Sequence, residues 1–245
     1  MKYSDKELLI IENKIVAIMN DLFYNNYINN NYTTNVYLRA VLSNHKNLQK
    51  LYFRIAELGI LDTIDFVGKE KFPLYAAKDE EELLIDYLMP YILFFMEDIY
   101  NDIKKYSANE GVSLSAAWDK YGKNKLGIYA RDTVNNLYNT CIKKTSQMMG
   151  ATGFKFIAII DNRTSHICRT LNGKVFLVTN IGYYTPPLHS HCRSRIRPIF
   201  GKIDERTVFK GGLNTRDTKV VSWYRSNFRM QFDNINIANL ISKLL

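Results

Sequence analysis

The chain is short of cysteine and has no long apolar run or visible internal repeat. Its three cysteines in 245 residues, Cys141, Cys168 and Cys192, are too few and too scattered for a disulfide framework. That points to a reducing compartment. The longest apolar run, Tyr87 to Met96, is ten residues with a proline inside it. A bilayer crossing needs about 20, so no membrane span is expected. The opening stretch MKYSDKELLIIENK is charged and lacks an uninterrupted apolar core, so no secretory signal is expected either.

What is present is an ordinary globular apolar fraction, 47%, enough for a buried core along most of the length. The length suits one large domain or two modest ones. The net charge of +9 is unevenly distributed. Residues 1–150 hold 18 Lys and Arg against 19 Asp and Glu, whereas residues 151–245 hold 15 against 5. The excess positive charge therefore lies in the last ninety-odd residues, a distribution suited to a polyanionic partner such as nucleic acid.

The N-terminal part reads as helices. Ser4 and Glu7 form an S-x-x-E capping box ahead of Leu8, Ile11, Ile15, Ile18 and Leu22 at helical spacing. An Asn-rich stretch at 25–35 reads as a loop. A helical pattern resumes from Val41 to Leu58 and is expected to stop at Gly59. Residues 78–106 read as a long amphipathic helix, acidic first and basic last, kinked at Pro90. A further helix is expected from Gly122 to Met149. At Gly150 the pattern changes. GFKFIAIID (153–161) reads as a buried strand, followed by a short helix (Ser165 to Leu171), a turn at Asn172-Gly173 and a strand at 174–178. Another strand is expected over 193–199, and a last helix over 235–244. The expectation is an α+β fold: a helical domain over 1–150, then a small basic α+β domain with short strands over 151–245.

Chemistry-bearing residues crowd into the second part. His166 and Cys168 are followed about twenty residues later by His189, His191 and Cys192. Thiolate and imidazole are the preferred ligands of four-coordinate Zn²⁺, and a metal would help a small loop-rich domain to fold. Cys168, His189 and Cys192 supply three ligands, with His166 or His191 as the fourth; the assignment carried forward is His166. A cysteine nucleophile with His189 as base and a metal nuclease using Asp161 are the enzymatic alternatives. Arg193, Arg195 and Arg197 alternate, so a strand would put all three on one face. With Arg163, Arg169 and Lys174 nearby in sequence, they form a candidate DNA-binding patch.

The run GFKFIAIIDNRTSHICRTLNGKVF followed by PPLHSHCRSRIRP resembles the C-terminal signature of phage head morphogenesis proteins of the Mu F-like minor head family. That signature is an apolar strand ending in D-x-R-T, then S-x-x-C or C-x-x-C, a G-K-x-F turn, and P-P-x-H-x-x-C-R-[SC]. Upstream, YARDTVNNLYN (129–139) is similar to the family's A-R-T-[ED]-x-x-x-x-x-N helix, with Asp132 and Thr133 interchanged. The resemblance spans roughly 125–200, and the ligand set it shares is Cys168, His189 and Cys192. It implies a minor structural, non-enzymatic protein of a tailed-phage virion, located in the phage head and assembled in the host cytoplasm. Its implied partners are the portal or major capsid protein and non-specifically bound DNA, in an oligomeric setting.

Overall fold

Leu8, Ile11, Ile15, Met19 and Leu22 are buried along one side of the first helix, α1 (Asp5–Phe23), as their three- and four-residue spacing requires. The computed structural model describes residues 5–24, 34–67 and 97–227. The expected Ser4 cap, residues 25–33 of the Asn-rich stretch, the kink at Pro90 and the helix at 235–244 lie outside these residues; residues 34–35, expected in the same loop, are helical instead. α2 is Thr34–Val67, residues 97–110 form helix α3, and α4 (Leu114–Ala117) is capped by Ser113. One π-type turn, Trp118–Gly122, leads into α5 (Lys123–Met148).

The described residues fall into two compact units, one with 5–24, 34–54 and 97–131, the other with 55–67 and 132–227. The first is all helical. Its core includes Ile15, Met19, Tyr52, Ile103, Trp118 and Leu126. Ion pairs Arg54–Glu7 at 2.9 Å and Arg131–Glu12 at 2.6 Å tie its helices together at the half-buried margin.

The second unit is α+β. After Gly150 (φ 80°) the chain enters a three-stranded antiparallel sheet ordered β2–β1–β3. Its strands are β1 (Gly153–Ile157), β2 (Val175–Leu177) and β3 (Arg195–Ile199). β1 is central, and period two buries Phe154 and Phe156 while Lys155 stays half-exposed. α6 (His166–Leu171) follows β1. The Asn172-Gly173 turn, with Gly173 at φ 78°, starts β2. α7 (Thr215–Asn227) completes the unit. Among the described residues, no helix is long and apolar enough to cross a membrane.

Three expectations need correction. Gly59 does not end a helix, because α2 continues eight residues beyond it to Val67. The glycine is instead a contact point: a Cβ there would lie 2.8 Å from the Tyr138 carbonyl oxygen and 2.9 Å from the Cys141 Cβ of α5. β3 begins at Arg195 rather than Arg193, so the three arginines do not share one strand. α7 was not expected at all, and its few buried side chains, Asp217, Val221 and Tyr224, explain the weak apolar pattern.

Candidate functional site

β1 ends at Ile157, and the chain turns sharply through the D-x-R-T segment. Asp161 caps this turn: its Oδ1 accepts from the Arg163 backbone N–H at 2.9 Å and from the Thr164 hydroxyl at 3.2 Å. Arg193 then grips the same carboxylate with two parallel hydrogen bonds, 2.8 and 2.6 Å, the bidentate geometry that a guanidinium suits. The Arg193 guanidinium holds the Asp161 carboxyl well below the usual carboxylate range. Arg169 donates to the Asp161 and Thr164 carbonyl oxygens. Both carboxylate oxygens of Asp161 are thus engaged by Arg193.

Ser165 follows the turn and N-caps α6, its Oγ accepting from the Cys168 N–H at 3.2 Å. That cap fixes Cys168 one turn into the helix with its side chain inward. The second half of the site is the turn His189–Cys192, closed by the Cys192 N–H to the His189 carbonyl at 3.2 Å. His191 at the turn's third position takes φ 60°. The two halves meet: Cys168 Sγ, His189 Nε2 and Cys192 Sγ all lie within 4.8 Å of one another. Cys168 Sγ is 3.1 Å from His189 Nε2 and 3.8 Å from Cys192 Sγ. Ser165 Oγ is 2.8 Å from the same Nε2. His189 Nδ1 lies 2.8 Å from the Ser190 carbonyl. A carbonyl only accepts, so Nδ1 carries the ring proton and the Nε2 lone pair faces the thiols.

The two thiols are electrostatically unequal. The hydrogen bond with Cys192, and then that with His189, lowers Cys168 despite its burial. Burial, with Cys168 alongside, raises Cys192. For His189, burial pulls downward, but the bond to Cys168 and its charge prevail, and the net direction is up. Yet Cys168 and Cys192 are only 3% and 0% exposed. A nucleophile has to reach its electrophile, and neither thiol faces solvent.

His166 is not part of this cluster. Its side chain is 69% exposed, and its Nδ1 sits 2.7 Å from Asp217 Oδ2 on α7. At the first position of α6 it projects away from Cys168, two residues on. His191 is also exposed, and contributes a backbone N–H to Asp132 Oδ1 at 3.0 Å. Ser165 takes the place near the cluster that these histidines were expected to fill. The signal for it was its spacing to Cys168, where C-x-x-C would have put a thiol.

The helix segment resembling the family's motif has a visible task here. Asp132, Asn135 and Asn139 lie on one face of α5 and hold the loop's backbone. Asn135 Nδ2 donates to the Cys192 carbonyl at 2.8 Å. Asn139 Oδ1 accepts from the Ile196 N–H at 3.0 Å, and its Nδ2 reaches the Ser194 carbonyl at 3.4 Å. All three side chains are buried.

The six cations of the expected patch divide by environment. Arg193 and Arg169 are committed to the Asp161 turn. Arg195 lies over the Tyr138 ring at 4.4 Å. Lys174 sits over Phe209 at 5.6 Å but is exposed, as are Arg163 and Arg197. Arg197 is also paired in register with Lys155 across β1 and β3, a cation that sequence reading omitted. Both line a groove of about 770 Å³ with Phe66, Val175, Pro198 and Phe200.

Residues 96–197 match the model of the phage Mu protein F like family; no curated protein and no solved structure matches the chain. The matched stretch contains α5, the Asp161 turn, Ser165, Cys168, His189 and Cys192. Over those residues, about two fifths of the chain, the sequence is similar to the phage Mu protein F like family.

Proposed function

We propose that this chain is a minor structural component of a tailed-phage head that docks on portal or capsid protein and contacts packaged DNA. The match over 96–197 carries the reading. The site supports it by what its residues do. Asp161, Arg193, Asp132, Asn135 and Asn139 all hold backbone or one another, and the thiols are buried, as in a fold-determining centre rather than a substrate-facing one.

The DNA contact rests on charge. Residues 151–245 carry 15 Lys and Arg against 5 Asp and Glu. Like charges directly opposed on a sheet repel, yet Lys155 and Arg197 are register partners. Among the described residues neither has an ion-pair partner. A phosphate backbone supplies the missing counter-charge and releases its own counterions on contact. The contact rests on charge and backbone phosphate, so the binding is expected to be indifferent to sequence.

Quantitative mass spectrometry of fractionated virions tests the structural role. The protein should remain with purified heads at low copy; its absence from virions, with production only in infected cells, overturns the proposal. Filter binding of the full chain to duplex DNA tests the second half, with retention at low salt that falls steeply as salt rises. If no duplex is retained at low salt, the basic face meets an acidic protein surface instead.

A further inference from the structure

The spacing of the buried donors invites comparison with a metal polyhedron. Zn–S bonds of about 2.3 Å in a tetrahedron put two sulfurs about 3.8 Å apart, and Cys168 Sγ and Cys192 Sγ are 3.8 Å apart. With a Zn–N bond of about 2.0–2.1 Å, the sulfur-to-nitrogen edge becomes about 3.5 Å. The Cys168 Sγ to His189 Nε2 separation is 3.1 Å, a contraction of the kind a direct hydrogen bond produces. The imidazole is already oriented: Nδ1–H is tied to the Ser190 carbonyl at 2.8 Å, the outer contact that fixes a ligating histidine's tautomer. Ser165 Oγ lies 2.8 Å from the same Nε2, which makes its hydroxyl the candidate for the fourth corner.

We propose that Cys168 Sγ, Cys192 Sγ and His189 Nε2 bind one Zn²⁺ as a structural centre, with the Ser165 hydroxyl at the fourth corner. Two thiolates neutralise the ion's charge, and an imidazole and a hydroxyl complete a four-coordinate shell. The metal joins the start of α6 to the His189–Cys192 turn, two short pieces separated in sequence by β2 and the Ile181–Tyr184 turn of 3₁₀ helix. Ile167 and Leu171 of α6 and Leu188 just before the turn are buried, and metal binding adds its own folding free energy to that packing. This assignment does not depend on where the protein sits in a virion.

The test uses the full chain, purified under reducing conditions without added chelator. Elemental analysis should find about one zinc per chain. Chelator treatment should release that zinc, lower the melting temperature and expose Cys168 and Cys192 to alkylation faster than Cys141. This readout needs no variant, so it stands if cysteine substitutions fail to fold. Cobalt substitution should give the thiolate charge-transfer and tetrahedral ligand-field bands, which Cys192→Ser should diminish. Ser165→Cys should tighten zinc, whereas Ser165→Ala should weaken it by at least about 10-fold, the lower end for outer partners. Reduced, folded protein that contains no zinc and takes up none from micromolar Zn²⁺ overturns the site. Unchanged zinc affinity in Ser165→Ala overturns the serine's part in it.

Discussion

Asn139 binds with both ends of its amide, accepting from the Ile196 N–H and donating towards the Ser194 carbonyl and Asn135. It is fully buried. Asn139→Ala leaves the Ile196 amide without its partner, and an unsatisfied buried donor costs about 1–3 kcal/mol. A lower urea midpoint with an unchanged m-value is the expected result; an unchanged midpoint would show that the clamp contributes nothing. Asp161 makes a pH-dependent prediction. Arg193 depresses its folded pKa below the unfolded value near 4. Its contribution is therefore present above about pH 4 and is lost as pH falls from there toward the folded value. Asp161→Asn should lower the melting temperature at neutral pH and flatten its decline on the acid side. Arg193→Ala should behave alike, and the double variant should fall short of additivity because the pair acts as one unit. Cys168, His189 and Cys192 were legible as a set because residue type and spacing alone mark thiolate–imidazole chemistry. His166 was misassigned because its partner Asp217 lies on α7, a helix whose pattern gave no warning.

At the scale of elements, two helical glycines should respond to alanine with opposite signs. Replacing glycine inside a helix ordinarily gains up to about 1 kcal/mol. At Gly127 in α5 a new Cβ meets nothing within 4 Å, so Gly127→Ala should stabilise by about 0.5–1 kcal/mol. At Gly59 the same Cβ would strike the Tyr138 carbonyl oxygen and Cys141 Cβ below 3.0 Å, atoms that move only with their helix. Overpacking of that kind costs about 1–3 kcal/mol, which outweighs the propensity gain, so Gly59→Ala should destabilise. Thermal melts of both variants check the pair, and equal signs would refute the packing argument. Gly59 also shows why helix ends were hard to read. The residue type signals either a stop or a close approach, and only the neighbouring helix decides which. Local patterns match in type. α1 is a helix, although Met19 rather than Ile18 is buried in it, and the Asn172-Gly173 turn takes its positive φ. β1 is a strand that ends at Ile157 rather than Asp161, leaving Ile159 and Ile160 exposed. α7 is capped by Asn214, which accepts from the Asp217 N–H at 2.8 Å. That N-x-x-D signal precedes so few apolar residues that no helical period emerges.

For the molecule as a whole, the question is which of its cations serve the fold and which are left for a polyanion. Sequence counts all fifteen Lys and Arg of residues 151–245 alike; the hydrogen bonds separate them. Arg193 and Arg169 are spent on the Asp161 turn, whereas Arg163 and Arg197 are exposed and Lys155 stands opposite Arg197. The affinity of a cationic face for duplex DNA falls with salt along a log–log slope of about −0.9 per phosphate neutralised. Arg163→Ala and Arg197→Ala should each reduce the magnitude of that slope by about 1. Arg163→Ala should leave the melting temperature unchanged, and Arg197→Ala should raise it slightly by removing the repulsion from Lys155. Arg193→Ala should do the reverse, lowering the melting temperature while keeping the slope wherever the protein is folded. The two measurements together separate a DNA-facing surface from a merely basic one. If all three variants change the slope equally, or none does, net charge rather than a defined face governs the interaction. In that case the Lys155–Arg197 groove awaits a protein carboxylate.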